Sequence, residues 1–366
     1  MFTVFGVGYS FGAFFDSITQ DFGSGSGATA VVFGITISLS FMLGPFTGAL
    51  GDRIGPRPVA LLGCCSLVAG LLLTTIVPSI WLAYLCYGVG VGFGIACGYV
   101  PMVAAVGGWF DKQRSLAMGV SVAGIGLGTL VAAPLAAALI EATTWRTAFV
   151  VFALVGAALM SAAAFMVRPG PAHEAAPARR PLRDLWQIAD FRALYLSMVS
   201  TGFGLFVPVV FLPSFAEDQG NSGFASALLV GLIGGASVVG RLAIGGVAAR
   251  LRPASVFRAV FVVMAASQLL WLLGGSVYAV LVIFALVYGA SYGGFIALSP
   301  AVAADRFGVK GLGAMLGTWY TAAGFGALLG PWIAGALIDA FEIRAAIIFA
   351  AATIALGWVF LLRLGD

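Results

Sequence analysis

Long apolar runs separated by short polar connections fill the chain from end to end. A helix needs roughly 17–25 residues to cross the hydrocarbon core of a bilayer, and most of these runs reach that length. The pattern therefore predicts an all-α membrane protein. Its twelve transmembrane helices are expected at about 1–20, 29–50, 58–77, 80–106, 115–140, 145–167, 191–214, 224–249, 255–275, 277–303, 312–337 and 344–363.

The twelve runs fall into two halves. A polar stretch rich in Pro and Ala at 168–190 is typical of a flexible linker, and it separates six runs in 1–167 from six runs in 191–366. The halves also echo each other, because Leu139-Ile140-Glu141 recurs 198 residues later as Leu337-Ile338-Asp339. A duplicated six-helix unit predicts two six-helix bundles that rock about a central site, the alternating-access arrangement of secondary transporters.

Composition excludes other classes of protein. The chain is 61% hydrophobic and only 9% charged, whereas soluble domains carry about 25% charged residues. Its basic residues stand singly between the apolar runs, which argues against a nucleic-acid partner. Fifteen of them fall in one set of connections and at the carboxyl end, against only Arg146 and Arg344 in the opposite set. This asymmetry predicts a multi-pass protein of the cell (inner) membrane, embedded in the lipid bilayer, with both termini in the cytoplasm.

Few residues could carry catalysis or bind a metal. The chain has one histidine, His173, and four cysteines without metal-ligand spacing. We find no catalytic dyad, no metal cluster and no phosphate-binding loop. The sequence therefore predicts neither an enzyme nor a bound cofactor or metal.

Arg241 is the residue that most restricts the function. It lies inside the apolar run 224–249, and the next charge toward the carboxyl end is Arg250. Nine residues of helix at about 1.5 Å each place Arg241 roughly 13 Å from that end, near the bilayer midplane. A guanidinium stays charged at that depth, so it must face water or an anion. Arg241 is thus a candidate anion-binding residue; the alternative is a snorkelling or purely structural arginine.

The connection after the second run contains Gly51, Asp52, Arg53 and Arg57. It resembles the signature loop of the major facilitator superfamily, in which glycines permit close packing and the Asp and Arg residues form a charge relay. The resemblance implies a latch at the cytoplasmic gate. The alternative is an ordinary basic loop on the cytoplasmic side.

The start of the fifth run resembles a signature of the monocarboxylate transporter family. An aromatic pair, Trp109-Phe110, precedes a basic turn that ends at Arg114, and small residues follow at Gly119, Ala123-Gly124 and Gly128. We assign Arg114 to the cytoplasmic gate. Near-helical spacing of the small residues predicts a face on which another helix can pack closely.

This resemblance implies that Arg241 binds the substrate carboxylate. Tyr99 and Tyr292 match cavity-lining positions of the family, while Tyr9 and Tyr320 lie well inside other spans and could donate to a substrate. Further candidates are the apolar residues Ile125 and Phe206, for which core packing is the alternative role.

The chain departs from the family where protons are handled. Many animal members carry an acidic residue at the position of Ser237 and a lysine in the first span, which this chain lacks. Asp16 remains the best proton candidate in the protein. The proton could instead cross on the substrate as the neutral acid.

We expect a secondary active transporter that moves a small monocarboxylate such as lactate or pyruvate in symport with a proton, for which a monomer suffices. One central cation favours one carboxylate over oxalate, as in oxalate–formate antiport. The alternatives are a facilitator of another organic anion or a drug, and a carboxylate receptor that transports nothing.

Overall fold

The computed structural model describes residues 1–109, 114–167, 185–248, 252–274, 277–307 and 312–364. Within these ranges the chain is almost entirely helical and has no β-strand. Most of the predicted linker at 168–190 lies outside the described residues. The boundaries of the two halves, 1–167 and 191–366, therefore remain predictions.

The first half consists of consecutive helices joined by short connections. They are α1 (Phe2–Tyr9), α2 (Phe11–Phe22), α3 (Ser26–Met42), α4 (Gly44–Ile54), α5 (Pro56–Thr74), α6 (Ile80–Ala83), a π-helical segment Tyr84–Val91, α7 (Gly92–Trp109), α8 (Arg114–Ala142) and α9 (Trp145–Met166).

The second half repeats this arrangement with fewer interruptions. Its helices are α10 (Ala189–Leu205), α11 (Val207–Asp218), α12 (Gly223–Ala248), α13 (Pro253–Gly274), α14 (Tyr278–Phe307), α15 (Leu312–Ala340) and α16 (Ile343–Leu361). We call the side at which α1 begins and α16 ends the inner face. The outer face is the side at which α2 ends and α3 begins.

Each of the twelve apolar runs is mostly helical in the described ranges, with interruptions at Ser10, Leu43 and Phe206 and a non-helical end at 75–77. Among the described residues, ten helical segments are long and apolar enough to cross a membrane, or eleven if the pair Ser26–Met42 and Gly44–Gly51, bent by 47°, is counted as one span. The first run is the remaining one, because it is divided into α1 and α2 at Ser10. The run at 191–214 is likewise divided, at Phe206.

The two divisions have local causes and meet inside the protein. The Ser10 hydroxyl donates to the Val7 carbonyl at 2.9 Å, a bond that competes with the backbone ladder. Pro208 lies in the first turn of α11, where its missing N–H is tolerated. The rings of Tyr9 and Phe206 then pack with centroids 6.1 Å apart. The two breaks therefore lie side by side, one in each half.

The halves meet along two seams, where α3 packs against α15 and α8 packs against α12. At the second seam the helices approach backbone to backbone. A β-carbon on Gly126 would lie 2.3 Å from the carbonyl oxygen of Gly234, so this contact requires glycine. Close packing through small residues is the usual way in which helices associate in a membrane. This seam brings the middle of α8 next to the helix that carries Arg241.

Candidate functional site

A cavity lies between the two halves and encloses about 550 Å³, including its opening to solvent. Helices of both halves contribute to its wall. Five of the seven predicted substrate-binding residues line it, namely Tyr9, Tyr99, Ile125, Tyr292 and Tyr320. The remaining lining residues, which sequence reasoning missed, are Phe5, Phe41, Met198, Leu205, Phe295, Ile296, Ser299 and Ala323.

The tyrosines, together with Ser299, give this mainly apolar cavity its polar side chains. The hydroxyls of Tyr9 and Tyr292 form a buried hydrogen bond at 3.0 Å, which joins the two halves. Tyr99 packs edge-on against Phe5 with ring centroids 5.4 Å apart. Its hydroxyl has no hydrogen-bond partner among the described residues. Tyr320 packs against Phe41 at 6.5 Å.

Arg241 forms a single hydrogen bond to the opposite half. Its Nη1 donates to the backbone carbonyl of Val122 in α8 at 2.7 Å. The Nε and Nη2 atoms are shielded from solvent and have no partner in the part of the chain that the structure describes. Arg241 is not itself one of the residues that line the cavity. Its bonded partner Val122 lies about one turn before Ile125, which does line the wall, so the guanidinium lies beside the cavity.

The two unpaired nitrogens form one edge of the guanidinium. Their N–H groups point in the same direction, at a spacing that matches the two oxygens of a carboxylate. A buried charged donor without an acceptor is costly, so an anion placed on this edge would be stabilised there. The arrangement is therefore chemically suited to an anion that accepts two parallel hydrogen bonds.

Close helix packing fixes the position of Arg241. A β-carbon on the preceding residue, Gly240, would lie 2.1 Å from the carbonyl oxygen of Ala290 in α14. One turn earlier, the buried Ser237 donates to the Gly234 carbonyl of its own helix at 2.8 Å. The position at which many family members carry an acid is thus occupied here by a neutral, satisfied hydroxyl.

Phe206 does not line the cavity. It is buried at the junction of α10 and α11, where its ring packs against Tyr9 and lies 5.7 Å from the ring of Phe33. Phe206 therefore lies behind one of the cavity tyrosines.

Asp16, the proton candidate, lies in α2 toward the outer face and away from the cavity lining. The Ser214 hydroxyl of α11 donates to its carboxylate at 2.8 Å. Asp16 is thus bonded to the opposite half of the protein. Its role in proton transfer remains a prediction.

The residues predicted for the cytoplasmic gate lie near the inner face. Gly51 packs against Pro101 of α7, and Arg53 and Arg57 are exposed. The Arg57 guanidinium lies 4.6 Å from the ring centroid of Phe165 in α9, a cation–π contact within the first half. The side chains of Asp52 and Arg114 lie outside the described residues, so the gate stays a prediction.

Part of the missed lining could have been found from helical spacing. Phe295, Ile296 and Ser299 follow Tyr292 at three, four and seven residues, so they share its face of α14. The Val122 carbonyl carries no such signal, because any residue supplies a backbone carbonyl.

Two solved structures share this fold. A mutant of the nucleoside transporter NupG aligns with a TM-score of 0.80 at 12% identity, covering 100% of this chain and 98% of that chain. A bacterial homologue of the human lysosomal transporter Spinster aligns with a TM-score of 0.77 at 15% identity, covering 99% and 94%. The chain therefore has the same fold as these two proteins over its whole length.

Sequence comparison gives the family. The model of the Major Facilitator Superfamily matches residues 1–275 and 252–366. Monocarboxylate transporter 3 of Rattus norvegicus is 31% identical over 362 residues, which cover 93% of this chain and 73% of the relative. Monocarboxylate transporter 4 of Gallus gallus is 30% identical over 92% of this chain and 75% of the relative. The fujikurins efflux protein of Gibberella fujikuroi is 26% identical over 83% and 66%.

The chain therefore belongs to the Major Facilitator Superfamily and, within it, to the monocarboxylate transporter-like family. The predicted fold class, an all-α membrane protein with the major facilitator fold, is confirmed.

Proposed function

We propose that this protein is a secondary active transporter that moves a small monocarboxylate, such as lactate or pyruvate, by alternating access. The observation that carries the proposal is the unpaired Nε–Nη2 edge of Arg241, which lies beside the central cavity. A carboxylate on that edge would receive two charge-assisted hydrogen bonds. The apolar wall would receive the rest of the solute.

The number of cations supports a monocarboxylate. Arg241 is the one cation that we assign to the site, and the cavity helix Leu312–Ala340 contains neither lysine nor arginine. A dicarboxylate such as oxalate would leave its second charge without a cationic partner. Exchange of oxalate for formate is therefore the less favoured variant.

We further propose that transport is coupled to a proton. Ser237 is bonded within its own helix and carries no charge, which leaves two routes for the proton. In one, Asp16 carries it; its carboxylate is half-buried and bonded to Ser214 across the halves. In the other, the proton crosses on the solute as the neutral acid. We place the inner face and both termini in the cytoplasm, following the excess of basic residues, and a monomer suffices for the cycle.

Uptake of radiolabelled L-lactate into proteoliposomes tests substrate and coupling together. We expect accumulation when the outside is more acidic than the lumen, and none when a protonophore collapses the gradient. Asp16→Asn separates the two proton routes, because gradient-driven uptake survives in this variant only if the proton crosses on the solute. Uptake that ignores the gradient would overturn symport, and no uptake of lactate, pyruvate or other short monocarboxylates would overturn the substrate class.

The hydroxyl pair of Tyr9 and Tyr292 is expected to orient the solute beside Arg241. Tyr9→Phe and Tyr292→Phe each remove one hydroxyl from the cavity, and we expect the KM for transport to rise by roughly threefold to tenfold. Tyr278→Phe is the control, since its hydroxyl donates to the Ala225 carbonyl at 2.8 Å and does not line the cavity. If Tyr9→Phe and Tyr292→Phe show the same KM as the control Tyr278→Phe, the tyrosine pair does not contact the solute.

A second candidate is the export of a larger organic anion or a drug. It is favoured by the similarity to a fungal efflux protein and by the mostly apolar lining of the cavity. Competition separates the two functions. If short monocarboxylates inhibit transport of a labelled amphipathic anion, and Arg241→Gln abolishes that inhibition, the first function is supported. If short monocarboxylates do not affect export of the labelled anion, the second function is supported.

A further inference from the structure

Two carboxylates at the outer face each bond to backbone N–H groups of the opposite half. Asp339, near the end of α15, accepts from the N–H of Ser26 and from the N–H of Gly27, both at 3.0 Å. Glu141, near the end of α8, accepts from the N–H of Phe224 at 3.0 Å. Ser26, Gly27 and Phe224 lie in the first turns of α3 and α12.

Each carboxylate thus caps a helix that belongs to the other half. The first N–H groups of a helix have no partner within the helix, and the helix dipole places partial positive charge there. A carboxylate at this point forms charge-assisted hydrogen bonds. Neither Glu141 nor Asp339 forms an ion pair within the described ranges, whereas the nearby Asp21 is paired with Arg146 at 2.6 Å inside the first half.

The two contacts are equivalent by the internal repeat of the chain. Glu141 and Asp339 end the repeated Leu-Ile-acid sequence, and each lies on one of the two seams between the halves. In both contacts a glycine comes directly before the first capped residue. A β-carbon on Gly25 would lie 2.8 Å from a carboxylate oxygen of Asp339, and one on Gly223 would lie 2.7 Å from Glu141. The backbone is therefore shaped to admit the carboxylate at both seams.

We propose that Glu141 and Asp339 form a paired outer latch that holds the protein closed at its outer face. Both contacts join the halves, so both must break when the outer face opens. Their combined strength therefore contributes to the equilibrium between the outwardly closed and outwardly open conformations. The latch depends on neither the identity of the solute nor the coupling ion. A test of the latch can therefore fail while the proposed function holds, and the reverse.

Distance measurements across the outer face test the latch directly. Ile76 and Leu273 are equivalent positions at the outer ends of α5 and α13, one in each half, and are 76% and 81% exposed. Spin labels on cysteines at both sites, in a protein otherwise free of cysteine, report opening by pulsed electron paramagnetic resonance. We expect the combination of Glu141→Gln and Asp339→Asn to raise the ratio of open to closed molecules by about tenfold, with each single variant in between.

The matched control is Glu342→Gln. Glu342 is an exposed acid at the same face and precedes α16, but its side chain caps no helix in the described structure. This variant is expected to leave the distance distribution unchanged. An unchanged distribution in the double variant would overturn the latch, and so would an equal shift in Glu342→Gln.

If the double variant unfolds, thiol labelling of the single variants provides an independent measure of opening at the outer face. Ala30 is fully buried in α3, on the face that packs against α15. A cysteine placed there should react with an external, membrane-impermeant maleimide faster in each single latch variant than in the parent, by about threefold or more. Equal rates in singly substituted, folded protein would contradict the proposal.

Discussion

Replacement of Arg241 by glutamine is expected to reduce carboxylate uptake by roughly 100-fold at a fixed low substrate concentration, equivalent to about 3 kcal/mol. The variant removes the charge and the Nε–Nη2 edge, which is the only unpaired pair of buried guanidinium donors found beside the cavity in the described ranges. Glutamine cannot present two parallel, charged N–H groups to a carboxylate. Initial uptake rates in proteoliposomes with matched protein content provide the measurement.

Two further variants separate binding from general loss of structure. Arg241→Lys keeps the charge but not the bidentate edge, so it should retain an intermediate activity with a raised KM. Arg344→Gln removes an exposed arginine at the outer face and should transport like the parent. Parental uptake by Arg241→Gln would exclude Arg241 from the binding site, leaving the bond to Val122 as its only role.

Gly240→Ala is expected to lower the stability of the protein by about 3 kcal/mol, because an added methyl group would overlap the backbone of α14. The atom that it meets, the carbonyl oxygen of Ala290, lies 2.1 Å from the ideal β-carbon and cannot rotate away as a side chain would. The displacement of α12 that relieves this overlap would also move Arg241. We therefore expect a lower melting temperature in detergent together with loss of transport.

The same helix supplies a matched control for this substitution. Gly245 lies five residues further along α12, and a β-carbon there would meet no described atom within 4 Å beyond its chain neighbours and its own helix backbone. Alanine has the higher helix propensity by about 1 kcal/mol, so Gly245→Ala should be neutral or slightly stabilising. Equal melting temperatures for the two variants would show that the contact between α12 and α14 does not need glycine at position 240.

The sequence revealed the features that depend on local composition. Arg241 could be identified because a charge inside an apolar run is costly in a membrane and therefore indicates a functional residue. The twelve apolar runs predicted the helices by their length alone. The cavity tyrosines could be nominated because a buried phenol needs a polar neighbour. That Tyr9 bonds to Tyr292 could not be known, since the two residues lie 283 positions apart.

Features that depend on the backbone could not be predicted. The repeat that contains Glu141 and Asp339 was visible, but the N–H groups that they accept from lie 83 and 312 positions away and belong to no particular residue type. The sequence contains no proline at the interruption at Ser10 or in the π-helical segment Tyr84–Val91, so neither irregularity could be predicted. Tertiary packing determines such details, and it leaves little trace in residue types.

The unpaired edge of Arg241 also bears on the order of steps in a transport cycle. A guanidinium edge that is buried without an acceptor raises the free energy of the empty protein, and a bound carboxylate removes this penalty. If the edge is shielded from water most fully while the protein changes conformation, the penalty adds to the barrier of the empty carrier and not to that of the loaded one. Exchange of one solute molecule for another would then outpace net movement across the membrane.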